Sequence, residues 1–183
     1  MTDAALAARV VAFAAPAALS TTQDVVRAVL PALTDQADAG LVAEETLALV
    51  ATVTARAAET GLRQRREALE AAGPALAEVP FLYHDFLLGA QVVAAGGEGE
   101  VTPDQSVYER LDRKTAFYAA HFPPGRFPGP AALAQKMPLW MGRISPPKLP
   151  TSPDARLQQT GLVDVVAAHA RLVLAFAERA AAG

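Results

Sequence analysis

The sequence predicts an all-α protein. It reads as a single-domain helical bundle of about five or six helices spanning residues 1–183, with a long Pro-rich basic insert at 122–153 before the last helix. Three observations carry that expectation. Apolar residues make up 52% of the chain but aromatics only 6%, so much of the apolar count is Ala, the strongest helix former and a weak source of buried area. Apolar residues recur at helical spacing between Gly, Pro and capping signals. No segment shows convincing strand alternation, and no repeat occurs at solenoid periods.

The first helix is expected to be amphipathic and to end near Pro16. MTDAALAARVVAFAAPAAL resembles a secretory leader in its apolar run, yet it places Asp3 at the start and Arg9 inside the run and lacks a basic opening. Ser20-Thr21-Thr22-Gln23 has capping-box spacing and should open a second helix, bent or ended by Pro31. Residues 34–40 read as a loop. From Leu41 to Ala72 runs the longest regular segment, with Val42, Thr46, Leu49, Val53 and Ala57 on one stripe. Glu45 and Arg56 flank that stripe, and Glu44 lies opposite. Its charged second half is either a separate short helix or an exposed extension, and Gly73-Pro74 should stop it.

Phe81 to Ala95 is apolar around most of its circumference, which predicts a central buried helix carrying His84 and Asp85. Thr102-Pro103-Asp104 then gives a start signal for a helix to about His121, with Val107, Leu111, Thr115 and Tyr118 on one stripe. The insert follows, with one short helix expected over 130–137. Ser152-Pro153-Asp154 repeats the start signal for a last helix, whose stripe of Leu162, Val165, Val166, His169, Leu172, Val173 and Phe176 should face the core.

The insert is the most unusual stretch. Residues 121–154 hold nine of the fourteen prolines and the only Trp, and no Asp or Glu occurs between Arg113 and Pro153 although the chain has a net charge of -3. Connections between helices usually run about 2–8 residues. Arg126, Phe127, Trp140, Met141 and Arg143 are therefore the expected contact residues for a ligand or partner, the arginines suiting an anionic small ligand and Trp an interface. Packing as a structural wrap is an equal rival.

Chemistry is otherwise sparse. With no cysteine, disulfides, thiol catalysis and Cys-ligated metals are excluded. The chain carries no P-loop, dinucleotide fingerprint, nucleophile elbow or zincin motif. His84, Asp85 and His169 are expected to be buried polar groups. His84, His121 and His169 could converge on a metal as the alternative, but no spacing places two of them on one helical face. Arg63, Arg65 and Arg66 alternate with Glu67 and Glu70, a solvated helix surface rather than a phosphate-binding face.

The functional expectation is a non-enzymatic, cytoplasmic interaction protein, a homodimer or one that takes a protein partner through the insert, without cofactor, nucleic acid or membrane. A metal or small-molecule enzyme built on the three histidines is its rival.

Overall fold

The computed structural model describes residues 1–33, 38–82, 84–85, 105–144 and 161–183. Among the described residues there are six α-helices and no strand: α1 (Asp3–Val29), closed by a 3-10 turn at Leu30–Ala32, then α2 (Ala39–Leu62), α3 (Arg66–Ala77), α4 (Gln105–His121), α5 (Pro130–Ile144) and α6 (Leu162–Ala182). All six contribute to one apolar cluster. The all-α bundle expected from composition and periodicity is the architecture observed. Thr102-Pro103-Asp104, Ser152-Pro153-Asp154, Lys148 and the rest of the insert from 145 lie outside the described residues, as do 86–95 of the expected central helix.

The thread through the N-terminal third differs from the expectation. α1 does not stop at Pro16; it continues for 27 residues with Pro16 inside it. Proline forfeits one backbone bond to the carbonyl four residues earlier. Here both Pro16 and Ala12, whose carbonyl is freed, are exposed, so water can take the carbonyl. Meanwhile Leu6, Val10, Ala14, Ala18, Val25 and Val29 form one unbroken buried stripe. The Ser20–Gln23 box therefore caps nothing, lying inside α1, and Thr22 bonds within the helix. Its hydroxyl donates to the Ala18 carbonyl at 2.8 Å, one turn back in the same helix.

The central helix is α2, which packs against α1, α3, α4, α5 and α6. Its stripe of Val42, Thr46, Leu49, Val53 and Ala57 is buried as the periodicity predicts. Asp38, not a residue of the expected loop alone, caps it by accepting from the N–H groups of Gly40 (2.8 Å) and Leu41 (3.1 Å). Near its far end Gly61 lets α6 come close: a Cβ there would lie 2.5 Å from the Ala177 Cβ. α3 is a separate helix, and it runs through Gly73-Pro74 to Ala77 rather than stopping there.

Of the expected central helix over 81–95, residues 81, 82, 84 and 85 are described. Phe81 is half-buried and Leu82 is 53% exposed, so this stretch begins at the surface. α5 outruns its expected end at 137, passing Pro138 to reach Ile144 and burying Leu133, Met137, Trp140, Met141 and Ile144 against α2 and α6. On α6, preceded by Gly161 at φ 66°, the buried face is Leu162, Val166, Ala167, His169, Ala170, Val173, Ala177 and Ala180. Val165 and Leu172, expected inside, point out.

Candidate functional site

The three histidines do not assemble. Among the described residues no group of three or more His, Asp or Glu is placed to hold a metal. His84 sits edge-on to Tyr108 at 5.7 Å, and His121 packs against Phe117 at 4.8 Å. Asp85 is exposed rather than buried and accepts a hydrogen bond from the Tyr108 hydroxyl. That bond and burial, together with the Asp85 charge, raise the Tyr108 pKa. His84 is half-buried, its Nε2 sealed without a protein partner. Among the described residues the three histidines thus form no common ligand set.

His169 alone is a core histidine, as expected. It is 5% exposed and lies between Thr21 of α1 and Thr54 of α2, with Nδ1 3.0 Å from the Thr21 hydroxyl and Nε2 2.7 Å from that of Thr54. Thr54 spends its only proton on the Val50 carbonyl at 2.7 Å. It can only accept from the ring, so the hydrogen-bond network assigns the proton to Nε2 and leaves Nδ1 to accept from Thr21. Both ring nitrogens are satisfied in the neutral form, and burial lowers the pKa to about 4. The group ties three helices together and has no free lone pair for a metal or a proton.

A second polar centre joins α2, α4 and α5. Glu45 is 1% exposed. Arg143 grips it with Nε at 2.6 Å from Oε2 and Nη2 at 2.9 Å from Oε1, and the Tyr118 hydroxyl donates to Oε2 at 2.8 Å. Lys114 lies 3.4 Å from Glu45 and donates to Glu44 at 2.7 Å, and Arg110 reaches the other Glu44 oxygen at 3.1 Å. The Arg143 guanidinium also stacks 4.3 Å from the Phe117 ring centre. Burial pushes the Glu44 carboxyl up, but the hydrogen bonds and charges of Arg110 and Lys114 outweigh it and hold the pKa low. Burial first, then the Glu45 charge and hydrogen bond, push the Tyr118 hydroxyl far up. The Glu45 hydrogen bond raises the Arg143 pKa further.

This network is closed. Every oxygen of Glu44 and Glu45 has a donor from α4 or α5, so both carboxylates tie these helices to α2. Arg143 is not available to clamp an anion beside Arg126, as the sequence suggested. The pairing was half-legible: an acid-free segment carrying arginines must find its acids elsewhere, and Glu45 flanks the buried stripe of α2. No spacing rule could have picked it, because Glu45 and Arg143 are 98 residues apart.

Of the other residues singled out in the insert, Arg126 is exposed and Phe127 half-buried, while Trp140 and Met141 are core residues at 0% and 4% exposure. Trp140 and Met141 hold α5 to the bundle and are closed to a partner at the surface.

The outward apolar surface lies instead on α6 and α1. On α6 the exposed stripe is Asp164, Val165, Ala168, Arg171 and Leu172, with Val165 and Leu172 at 39% and 50% exposure. At one end Phe176 stacks on Phe13 of α1 with centroids 4.0 Å apart, and Arg9 lies 5.8 Å from the Phe176 ring. The outer face of α1 is small and apolar: Ala5, Ala8, Ala12 and Pro16 are exposed. Among the described residues one helix, 3–32, is long and apolar enough to cross a membrane by length and composition, although its inner stripe is part of the core. Comparison of the chain with family models, with curated proteins and with solved structures finds no match.

Proposed function

We propose that this chain is a non-enzymatic helical interaction protein that pairs with a second copy of itself through the outer face of α6. The observation that carries the reading is the exposed stripe Asp164, Val165, Ala168, Arg171, Leu172. Monomeric surfaces scatter single apolar residues, and two large ones a turn pair apart on one stripe with a small residue between them form a seam. The stripe is self-complementary. Laid antiparallel against its own copy and centred on Ala168, it brings Val165 of one copy and Leu172 of the other to within about one residue's rise along the axis, and likewise Asp164 and Arg171. A two-fold interface needs that property, since the same patch serves both sides. Among the described residues the polar centres around His169 and Glu45 are bonded within the fold, which supports a binding reading over a catalytic one.

The insert keeps a smaller part in this reading. Its Arg126 stays exposed, while Trp140 and Met141 serve the fold.

Sedimentation velocity tests the proposal. The wild-type chain should sediment as a concentration-dependent dimer, and Leu172→Glu combined with Val165→Glu should convert it to a monomer with unchanged helical circular dichroism. A wild-type chain that is monomeric up to its solubility limit would overturn the reading. So would dissociation by Arg126→Glu but not by the α6 variant, which would return the contact to the insert. Flotation of the wild-type chain with lipid vesicles, abolished by charges placed on the outer face of α1, would favour a membrane surface over a second copy.

A further inference from the structure

A cavity of about 320 Å³ opens where the turn between α2 and α3 meets the end of α6. Two contacts set its edges. Gly61 of α2 lies so close to α6 that a Cβ on it would be 3.2 Å from the Glu178 nitrogen, and Arg65 Nη1 donates to the Ala181 carbonyl at 3.2 Å. Gly61, Ala181 and Ala182 give the walls a small apolar part. The rest of the lining is polar.

Part of that polar lining is already committed. Arg65 is fixed, its Nε donating to Asp3 at 2.9 Å while Nη1 holds Ala181. Thr60 gives its hydroxyl proton to the Arg56 carbonyl at 2.8 Å. Arg63, Gln64 and Glu178 are left over. All three line the cavity with side chains open to solvent, and among the described residues none of them makes a hydrogen bond or an ion pair. Arg63 and Glu178 thus bring opposite charges to the two walls of one cavity without joining each other. The backbone ends have the same polarity. α3 starts at Arg66 with no side-chain cap, so the Arg63–Gln64 wall carries the positive end of that helix. Glu178 stands near the C-terminal end of α6, where carbonyls gather negative partial charge. At the end of α2, by contrast, the Thr60 and Leu62 carbonyls are taken by the N–H groups of Arg63 and Arg65.

The chemistry of the ligand follows from what is left over. A molecule that satisfies both walls carries a carboxylate and an ammonium close together. The Arg63 guanidinium presents a fork of N–H donors that fits a carboxylate, and the Gln64 amide adds another donor. The Glu178 carboxylate takes the ammonium. A simple anion would leave Glu178 beside it as a repelling charge, and a simple amine would meet Arg63 in the same way. The unspent charges are one of each sign, so the remainder of the ligand is uncharged, and the Gly–Ala walls suit an aliphatic group. A cavity of about 150 Å³ holds one benzene ring, so this larger one has room for leucine. We propose that the cavity between the α2–α3 turn and α6 is a binding site for a free α-amino acid with an aliphatic side chain, its carboxylate on Arg63 and Gln64 and its ammonium on Glu178.

Titration of the chain with L-leucine, followed by calorimetry and by amide chemical shifts, tests this. Saturable binding should appear, with shifts concentrated on 60–65 and 178–182. Isocaproate, which lacks the ammonium, and isopentylamine, which lacks the carboxylate, should each bind about fivefold more weakly, the loss expected for one solvent-accessible charge pair. Two variants separate the walls. Glu178→Gln should weaken leucine about fivefold and leave isocaproate no weaker, whereas Arg63→Gln should weaken leucine about fivefold and leave isopentylamine no weaker. Both residues are exposed, so both variants should keep the wild-type urea midpoint, which is measured first. The two analogues on the wild-type chain remain decisive if a variant does not fold. The inference is overturned if leucine shows no saturable binding up to roughly 10 mM, if either analogue binds as tightly as leucine, or if neither variant weakens leucine.

Discussion

The α1–α2–α6 side of the bundle and the α4–α5 side are held by opposite means. On the first, small residues bring backbones together: Ala14, Ala18, Ala48, Ala57, Ala170 and Ala177 are all at or near zero exposure, and Gly61 meets Ala177 without room for a methyl group. Among the described residues His169 with its two threonines is the polar tie between these helices, while the buried Thr22 and Thr46 hydroxyls bond within their own helix. On the second, a few large groups carry the attachment. Trp140, Tyr118, Leu133 and Ile144 are nearly inaccessible, and Glu45 is tied by Arg143, Tyr118 and Lys114. An Ala-rich chain can therefore build a tight centre from close approach alone, but a helix added to that centre needs anchors. The small-residue side should resist growth of a side chain, and the anchored side should resist truncation.

Truncation at the anchor should have the largest effect. Trp140→Ala removes a fully buried indole and should cost roughly 3–5 kcal/mol, as large-to-small changes in cores do, read from the shift of the urea midpoint. Trp140→Phe should cost far less, because it also removes the indole N–H, which is sealed without a protein acceptor. A Trp140→Ala loss no larger than that of an exposed Ala position would remove the anchored half of the comparison.

Glu45→Ala comes next. It leaves three donors facing a cavity, and breaking one partner of a buried pair typically costs 3–5 kcal/mol. Arg143 keeps about a third of its side chain exposed and can turn to water, so about 3 kcal/mol is expected, at the lower end of that range. Replacing Glu45 and Arg143 together by Met should recover most of the loss, because a buried ion pair contributes little beyond an apolar pair of the same shape. A double variant as unstable as Glu45→Ala would show that Tyr118 and Lys114, not Arg143, set the cost.

The asymmetry also explains what the sequence disclosed. Helical periodicity found the buried stripe of α2 and the start of α5 at Pro130, because these rest on local spacing. It placed helix ends near Pro16, at Gly73-Pro74 and at 137, and α1, α3 and α5 run through all three sites. In each case the proline is exposed, as is the residue four before it (Ala12, Glu70, Ala134). Water can take the freed carbonyl while the opposite face stays packed, so tertiary packing overrides the local penalty. The stripe of α6 was rotated by part of a turn for a related reason: Leu162, Val166, His169 and Val173 are buried as expected, whereas Val165 and Leu172 are not. Hydrophobicity picks Val165 and Leu172 for the core, but close approach at Gly61 selects Ala167, Ala170 and Ala177. The candidate surface was legible only after that rotation.

Growth on the close-packed side should rank third. Gly61→Ala places a methyl group 2.5 Å from the Ala177 Cβ and 3.1 Å from the Leu174 carbonyl oxygen. Overpacking of this kind costs roughly 1–3 kcal/mol, and the upper part of that range applies because backbone has to move. The intrinsic helix preference for Ala, worth up to about 1 kcal/mol, works in the opposite direction. A stabilised Gly61→Ala variant would mean that α2 and α6 slide apart at no cost, and the small-residue side would lose its defining constraint. Thermal and urea unfolding of this variant beside Gly73→Ala, where a Cβ meets nothing within 4 Å, separates crowding from propensity.

The smallest effect concerns the one titratable group inside the close-packed side. His169 is held neutral in the fold, its pKa lowered by burial to about 4 from the ordinary 6.5. Below pH 6.5 the unfolded chain takes up a proton that the folded chain refuses. This contribution to stability is therefore complete above pH 6.5, declines as the pH falls, and is exhausted below about 4. From pH 7 to pH 5 the loss should be about 2 kcal/mol. Glu44, held low by Arg110 and Lys114 on the anchored side, acts in the same direction but only in more acidic solution, below its ordinary 4.5. The two sides thus lose stability in offset pH windows, that of His169 opening about two pH units higher. Urea midpoints at pH 7 and pH 5 for wild type and for His169→Gln measure the first window directly. The variant should be less stable at pH 7 and nearly flat between the two values. An equal slope in both proteins would place the acid sensitivity elsewhere and free His169 from its role as the polar tie of α1, α2 and α6.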